Sequence, residues 1–341
     1  MKKMKKVLAG LLAATMVMSM SVTAWATEGE ETTAYTDMST VTLIKEYKLT
    51  NTGTTSPAEK FNFSTLICTN VKDAGVGVTT SNAPVPTIES VEYSAGEAGG
   101  ENAKKNITIT LPAYSSVGIY TYTFTETDGG TAGVTYRSDT ITLVVTVIEQ
   151  DGKVRVAAVH TEGEGEAKSG EFNNEYSAGS LSVKKNVTGI LGDKEKEFTV
   201  KVTFTAPEGD KVKGDIAYTD GTEDKTIDAE EGGWTGSKVV EITLKHDESV
   251  TFTNIPYGVT YTVVENDYTA EDAGGYDKAT YIFDDNNKKI DSASENVEIT
   301  NNKGGEVDTG ISLDSAPYIL LLAFAAMGVF AVVSKKREEE F

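Results

Sequence analysis

Leu181-Ser-Val-Lys-Lys-Asn-Val187 sets the fold of the second half of the chain. Apolar residues stand at 181, 183 and 187, with polar residues between them. Residues two apart in a strand share a face, so the pattern reads as a strand with one buried side. The same parity turns Lys185 inward and leaves Lys184 in water. Moving outward, alternation recurs at Phe198–Phe204, Val239–Leu244, Val259–Val263 and Asn296–Thr300. The first half repeats it at Val41–Lys45, Asn106–Leu111, Tyr120–Phe124, Thr140–Val147 and Lys153–Val156. These runs are rich in Thr, Val, Tyr and Ile, which suit a pleated, half-buried surface. Gly- and Asp-rich breaks separate them, at Thr127–Gly130, Glu162–Gly165, Ala206–Gly209 and Ala273–Gly275. Almost no segment between Ser39 and Asn302 has a helical apolar period. The expectation is an all-β chain of two tandem β-sandwiches, over residues 40–176 and 177–303. The joint falls at Glu175–Gly179 and is short, so the domains should stack end to end with limited freedom.

The two ends read as address labels. Lys2, Lys3, Lys5 and Lys6 precede an apolar run from Val7 to Val22, and Ala24-Trp25-Ala26 fits a cleavage site. Residues 1–26 are therefore a predicted secretory signal peptide, followed by an extension over 27–39. At the other end, 18 apolar-rich residues from Ala316 to Val333 precede Lys335-Lys336-Arg337. At ~1.5 Å per residue such a helix nearly spans a ~30 Å hydrocarbon core, and the basic triplet belongs on the cytoplasmic side. The body between should face the outside.

Composition excludes several chemistries. Of 341 residues, 31 are Lys or Arg and 52 are Asp or Glu, a formal charge of −21. Such a chain repels phosphate backbones, which argues against nucleic-acid binding. One Cys (Cys68) offers no intrachain disulfide, and His160 and His246 are too few for a metal cluster or a triad. No nucleophile elbow is present, so no turnover enzyme, cofactor or metal is expected. Tyr257, in Ile-Pro-Tyr-Gly, reads as a turn between strands rather than an adhesive aromatic.

Strand parity picks out polar side chains on apolar faces. Lys45 shares a face with Val41 and Leu43, and Glu126 with Tyr120, Tyr122 and Phe124. Asn174 shares one with Phe172. In the second half Lys185 follows Leu181 and Val183, Glu265 follows Val259, Tyr261 and Val263, and Asn301 follows Val297 and Ile299. Lys and Glu stand 81 residues apart in one half and 80 in the other. Lys and Asn stand 129 and 116 apart. Burial lowers a lysine pKa and raises that of a glutamic acid, by as much as ~3–5 units. A neutral amine is a nucleophile. Two readings of each trio are open: a buried Lys–Glu ion pair with a hydrogen-bonded Asn, or a Lys–Asn amide formed with loss of ammonia.

LSVKKNVTGILGDKEKEFTVKVTF (Leu181–Phe204), LKHDESVTFTNIPYGVTYTVVEND (Leu244–Asp267) and VEITNNK (Val297–Lys303) are similar to the C-terminal domain of Gram-positive major pilins of the two-domain streptococcal type. VTLIKEYKLTN (Val41–Asn51), SVGIYTYTFTETDGG (Ser116–Gly130), GVTYRSDTITLVVTV (Gly133–Val147) and EFNNEYS (Glu171–Ser177) resemble their N-terminal domain. The resemblance implies Ig-like, CnaB-like domains, each with a self-formed isopeptide bond promoted by a Glu. Carried onto this chain it gives Lys45–Asn174 with Glu126, and Lys185–Asn301 with Glu265. It also implies a sorting signal over residues 304–341, with Glu306-Val-Asp-Thr-Gly310 as the motif. A sortase would cut between Thr309 and Gly310 and pass the Thr309 acyl group to a lysine of another subunit. Lys168 is the candidate acceptor. The implied partners are other pilin subunits, a sortase and peptidoglycan, at the cell surface of a Gram-positive bacterium. The family pattern has Pro where Asp308 stands. Either a cognate sortase accepts Asp308, or the chain remains a monomeric, wall- or membrane-anchored surface protein or adhesin.

Overall fold

A computed structural model describes residues 37–162, 171–219 and 223–305. All of its regular elements are strands. The first half holds β1 (Thr40–Leu49), β2 (Glu59–Phe63), β3 (Ile67–Lys72), β4 (Thr87–Ile88), β5 (Val91–Tyr93) and β6 (Lys104–Thr110). It continues with β7 (Gly118–Phe124), β8 (Glu126–Thr127), β9 (Val134–Thr135), β10 (Ile141–Gln150), β11 (Lys153–Glu162) and β12 (Glu171–Tyr176). The second half holds β13 (Ala178–Thr188), β14 (Phe198–Thr205), β15 (Ile216–Thr219), β16 (Asp224–Ile227) and β17 (Ser237–Leu244). It ends with β18 (Ser249–Pro256), β19 (Thr260–Glu265), β20 (Thr280–Phe283) and β21 (Ser294–Asn302).

Two main sheets build each half. In the first, the order β4-β6-β1-β12-β9 faces β11-β10-β7-β3, with β5-β2-β8 as a short third ribbon. In the second, β16-β15-β18-β13-β21-β20 faces β17-β14-β19. The inner faces feed one apolar core per half, with Leu43, Ile107, Tyr122 and Val145 in the first and Val183, Val202, Phe252 and Val297 in the second. Alternating strands thus become two-layer sandwiches because each sheet has one apolar face to cover. The tight β10–β11 turn is Asp151-Gly152, both at positive φ (52° and 73°), the conformation that a two-residue hairpin requires.

The first and last strands of each half lie side by side and run parallel. Lys45 stands opposite Phe172, and Tyr47 opposite Asn174. Lys185 stands opposite Ile299, and Val187 opposite Asn301. In both halves the Asn is therefore two residues beyond the position facing the Lys, on the same face. The halves differ at one edge. β7 is flanked by the β10–β11 hairpin, whereas β19 ends its sheet. That hairpin falls in the longer Glu-to-Asn stretch of the first half.

Only Ser177 separates β12 from β13. Around it the halves bond directly. Ala132 N–H donates to Lys211 O, and Lys211 N–H to Gly130 O, at 2.9 and 2.8 Å. Asn51 Nδ2 donates to the Tyr257 hydroxyl at 2.7 Å, and Thr55 N–H to Asn254 Oδ1 at 2.9 Å. Ala132, from the first half, is buried in the core of the second. Tyr257 sits in a turn, as the Pro-Tyr-Gly reading predicts, and belongs to this seam.

Candidate crosslinking sites

The two polar trios lie in the cores of the sandwiches. Lys45 is fully buried on β1, Asn174 on β12, and Glu126 just beyond the end of β7. Lys45 Nζ donates to Glu126 Oε2 at 2.7 Å and also contacts Asn174 Oδ1. Asn174 Nδ2 donates to Glu126 Oε1 at 2.6 Å and to the Thr135 carbonyl at 3.1 Å. Each member of the trio thus touches the other two. The ring of Phe61 lies 4.1 Å from Nζ. Phe63, Phe124 and Phe172 pack beside it, with the Arg137 guanidinium 4.7 Å over Phe172 and tied to Asp139.

The second trio has the same topology and looser bonding. Lys185 Nζ donates to Asn301 Oδ1 at 2.5 Å and to the carbonyl of Asn186 at 3.0 Å. Glu265 Oε1 is 3.4 Å from Nζ, against 2.7 Å for the corresponding Glu126 contact. The Glu265 backbone N–H donates to the Tyr281 hydroxyl at 3.0 Å. Phe198 supplies the ring under the amine, at 4.2 Å.

Electrostatics follow from burial. Desolvation pushes the Lys45 pKa down to about 8, although the Glu126 charge and hydrogen bond pull it back up. Lys185 is lowered for the same first reason, opposed by Glu265. Glu126 and Glu265 are both raised, again mainly by burial and against the attraction of their lysines. Each pair is thereby drawn toward neutral amine and neutral acid. A neutral amine beside a carboxamide, with a carboxylic acid in reach of the pair, is the equipment for amide exchange.

All six residues singled out by parity are buried and meet as two trios. Parity was incomplete elsewhere. Glu59, on the inner face with Phe61 and Phe63, and Glu295, in step with Val297 and Ile299, are buried as well. Glu59 accepts from Thr131 Oγ1 at 2.6 Å and from Lys213 Nζ of the second half at 3.1 Å. Glu295 accepts from Ser292 Oγ at 2.7 Å. The same alternation would have revealed both. The Thr135 carbonyl and the Tyr281 hydroxyl carried no sequence signal, since each arrives from a partner strand. The predicted signal peptide, Lys168, Thr309, Gly310 and the apolar span 316–333 lie outside the described residues.

Comparison with known proteins follows the same division. Residues 41–177 match the Spy0128-like isopeptide containing domain, and residues 179–303 a domain of unknown function (DUF7601). A curated protein named Pilin, from Streptococcus pyogenes serotype M1, is 28% identical over 312 residues, covering 87% of this chain and 90% of that protein. The crystal structure of the major pilin from Streptococcus pyogenes superposes with a TM-score of 0.54 at 24% identity, over 79% of this chain and 100% of the other. The major pilin T3.2 of S. pyogenes serotype GAS13637 gives 0.53 at 21% identity, over 79% and 99%. These likenesses establish the shared two-domain fold. The chain is similar to a streptococcal pilin along most of its length, and its first half matches the Spy0128-like isopeptide containing domain.

Proposed function

We propose that this chain is a structural subunit of a sortase-assembled cell-surface pilus, and that each domain closes one Lys–Asn amide on itself. One observation carries the crosslinks: in both halves Lys and Asn, from first and last strands in the same parallel register, converge with a Glu in a core. In each domain the neutral Lys Nζ attacks the Asn Cγ. The protonated Glu polarises the carboxamide and relays a proton to Nδ2. The C–N bond to Nδ2 breaks, ammonia leaves, and the Glu ends in its starting state. Each Glu acts once, on its own chain, so no turnover is involved.

The amide ties the two parallel strands, so tension entering at β1 leaves through β12 without passing through the sandwich. It also closes a loop of 129 or 116 residues in the unfolded chain. By analogy with a disulfide over such a span, that is worth about 4–5 kcal/mol, a large part of the ~5–15 kcal/mol of a typical domain. Transfer of the Thr309 acyl group by a sortase, with release of Gly310, joins it to a lysine of another subunit. Lys168 is the lysine proposed for that role. Head-to-tail joining does not close and therefore yields a filament.

Two measurements test the proposal. Intact mass of the mature chain should be short by two ammonia molecules. Surface extracts should give a ladder of boiling-resistant high-mass species that collapses when the cognate sortase is deleted. Asp308 favours the second reading, an anchored monomeric surface protein, which predicts a single band.

A further inference from the structure

The far end of the second domain carries an apolar knob beside the point where the described chain stops. Among the exposed large aliphatic side chains of the described residues, one pair is adjacent in sequence: Ile190 (67% exposed) and Leu191 (56%). The turn that presents them is tightly constructed. Gly189 has φ +87°, and a Cβ there would lie 2.3 Å from the Lys303 carbonyl oxygen. A Cβ on Gly192 would lie 2.6 Å from the Thr188 carbonyl oxygen. Only glycine fits at either position, so the backbone is held with both aliphatic side chains outward.

This turn is locked to the exit of the last strand. Lys303 N–H donates to Thr188 O at 3.0 Å, and Leu191 N–H to Lys303 O at 3.1 Å. A Cβ on Gly305 would meet Leu191 Cδ1 at 2.5 Å, so the departing chain runs against the knob. Thr309 follows Gly305 by four residues. Four extended residues reach at most about 14 Å. Whatever is bonded to the Thr309 carbonyl is therefore tethered within about 14 Å of Gly305, which lies against Leu191.

We propose that Ile190 and Leu191 form a docking knob for a second copy of this chain, seated on the first domain of the subunit joined through Thr309. This rests on the pilus reading above and specifies the non-covalent face of its subunit junction. The short tether selects the occupant, because the joined subunit is the one surface that the covalent bond holds within reach. Apolar burial there would orient the incoming subunit before acyl transfer and brace the junction after it.

The test uses the full chain in cells that carry the cognate sortase. In the Ile190→Ser/Leu191→Ser variant, species above the dimer should fall about tenfold relative to the unaltered chain, the change for about 1.4 kcal/mol of lost contact. The monomer from the same cells should keep its two-ammonia deficit and its resistance to protease, showing that it has folded. A photoreactive residue placed at 190 should crosslink to the first domain of another copy within the ladder. An unchanged ladder in the double variant, or photocrosslinks confined to other proteins, would overturn the docking knob while leaving the pilus reading intact. No ladder from the unaltered chain would instead sink the pilus reading.

Discussion

Lys45 and Lys185 occupy equivalent positions in two copies of the same strand arrangement, yet their surroundings differ. In the first domain, Glu126 bonds both the amine and the carboxamide, and the Thr135 carbonyl holds the other side of Asn174. In the second, Glu265 sits farther from the amine, at 3.4 Å, although its side chain is just 1% exposed. An ionised Glu265 would be a buried charge with one loosely placed counter-ion, which is costly. A proton resting on Glu265 removes that cost. The first site is held together by geometry; the second depends more on where its proton sits.

The largest expected effect comes from removing the acid. Glu126→Ala and Glu265→Ala should each restore one ammonia to the intact mass. Each should lower the melting temperature of its own domain by about 10–20 °C, the equivalent of the lost loop closure. Calorimetry resolving the two domains reads this directly, and equal losses in both would show that the bonding difference does not matter once the amide exists.

A second perturbation crosses the seam. Lys213→Met takes the cation away from the buried Glu59, which keeps the Thr131 hydroxyl as a donor, at a cost of about 2 kcal/mol. The first domain should melt earlier although the substitution is in the second. A drop confined to the second domain would show that the ion pair does not couple them.

The pH dependence sharpens the comparison further. In Asn174→Ala the Lys45 amine stays free. Its folded pKa of about 8 lies below the usual 10.5, so between these values the unfolded chain holds more protons. Stability of the first domain should therefore rise with pH across that window, by at most about 1.4 kcal/mol per unit, and be lost again as pH falls through 8. The unaltered chain, its amine consumed, should lack this component. Subtracting the two melting profiles isolates it from the tyrosines that both share.

The smallest effect belongs to Tyr281→Phe. It leaves the Glu265 N–H without the hydroxyl, costing about 1 kcal/mol. Refolded chain sampled by mass over time should form the second amide more slowly and the first at its normal rate. Slowing of both would point to a general folding defect.

Much of this was legible in the sequence because a strand reports burial through parity. Lys185 against Lys184, and Glu265 in step with Tyr261 and Val263, needed nothing beyond period-two counting. Parity reports burial but not purpose. Glu59 and Glu295 obey the same rule, and their partners are a lysine from the other domain and a serine. What separated the trios was the repeated spacing of three residue types across two halves. The unequal Lys–Glu distances were invisible, because parity reports a face and not a separation, and Thr135 and Tyr281 arrive from β9 and β20, strands that pair alongside β12 and β21. The insertion of Ala132 into the opposite core was invisible for a similar reason: a lone Ala in a turn has no periodicity to read.

The single residue between β12 and β13 bears on how a fibre of these subunits would flex. With Ser177 as the whole linker, and with Lys211, Asn51 and Asn254 bonding across it, each subunit would act as one stiff strut rather than two hinged beads. Bending would then be concentrated at the subunit junctions, once per repeat, which makes the contact at each junction the main control over the curvature of the whole fibre.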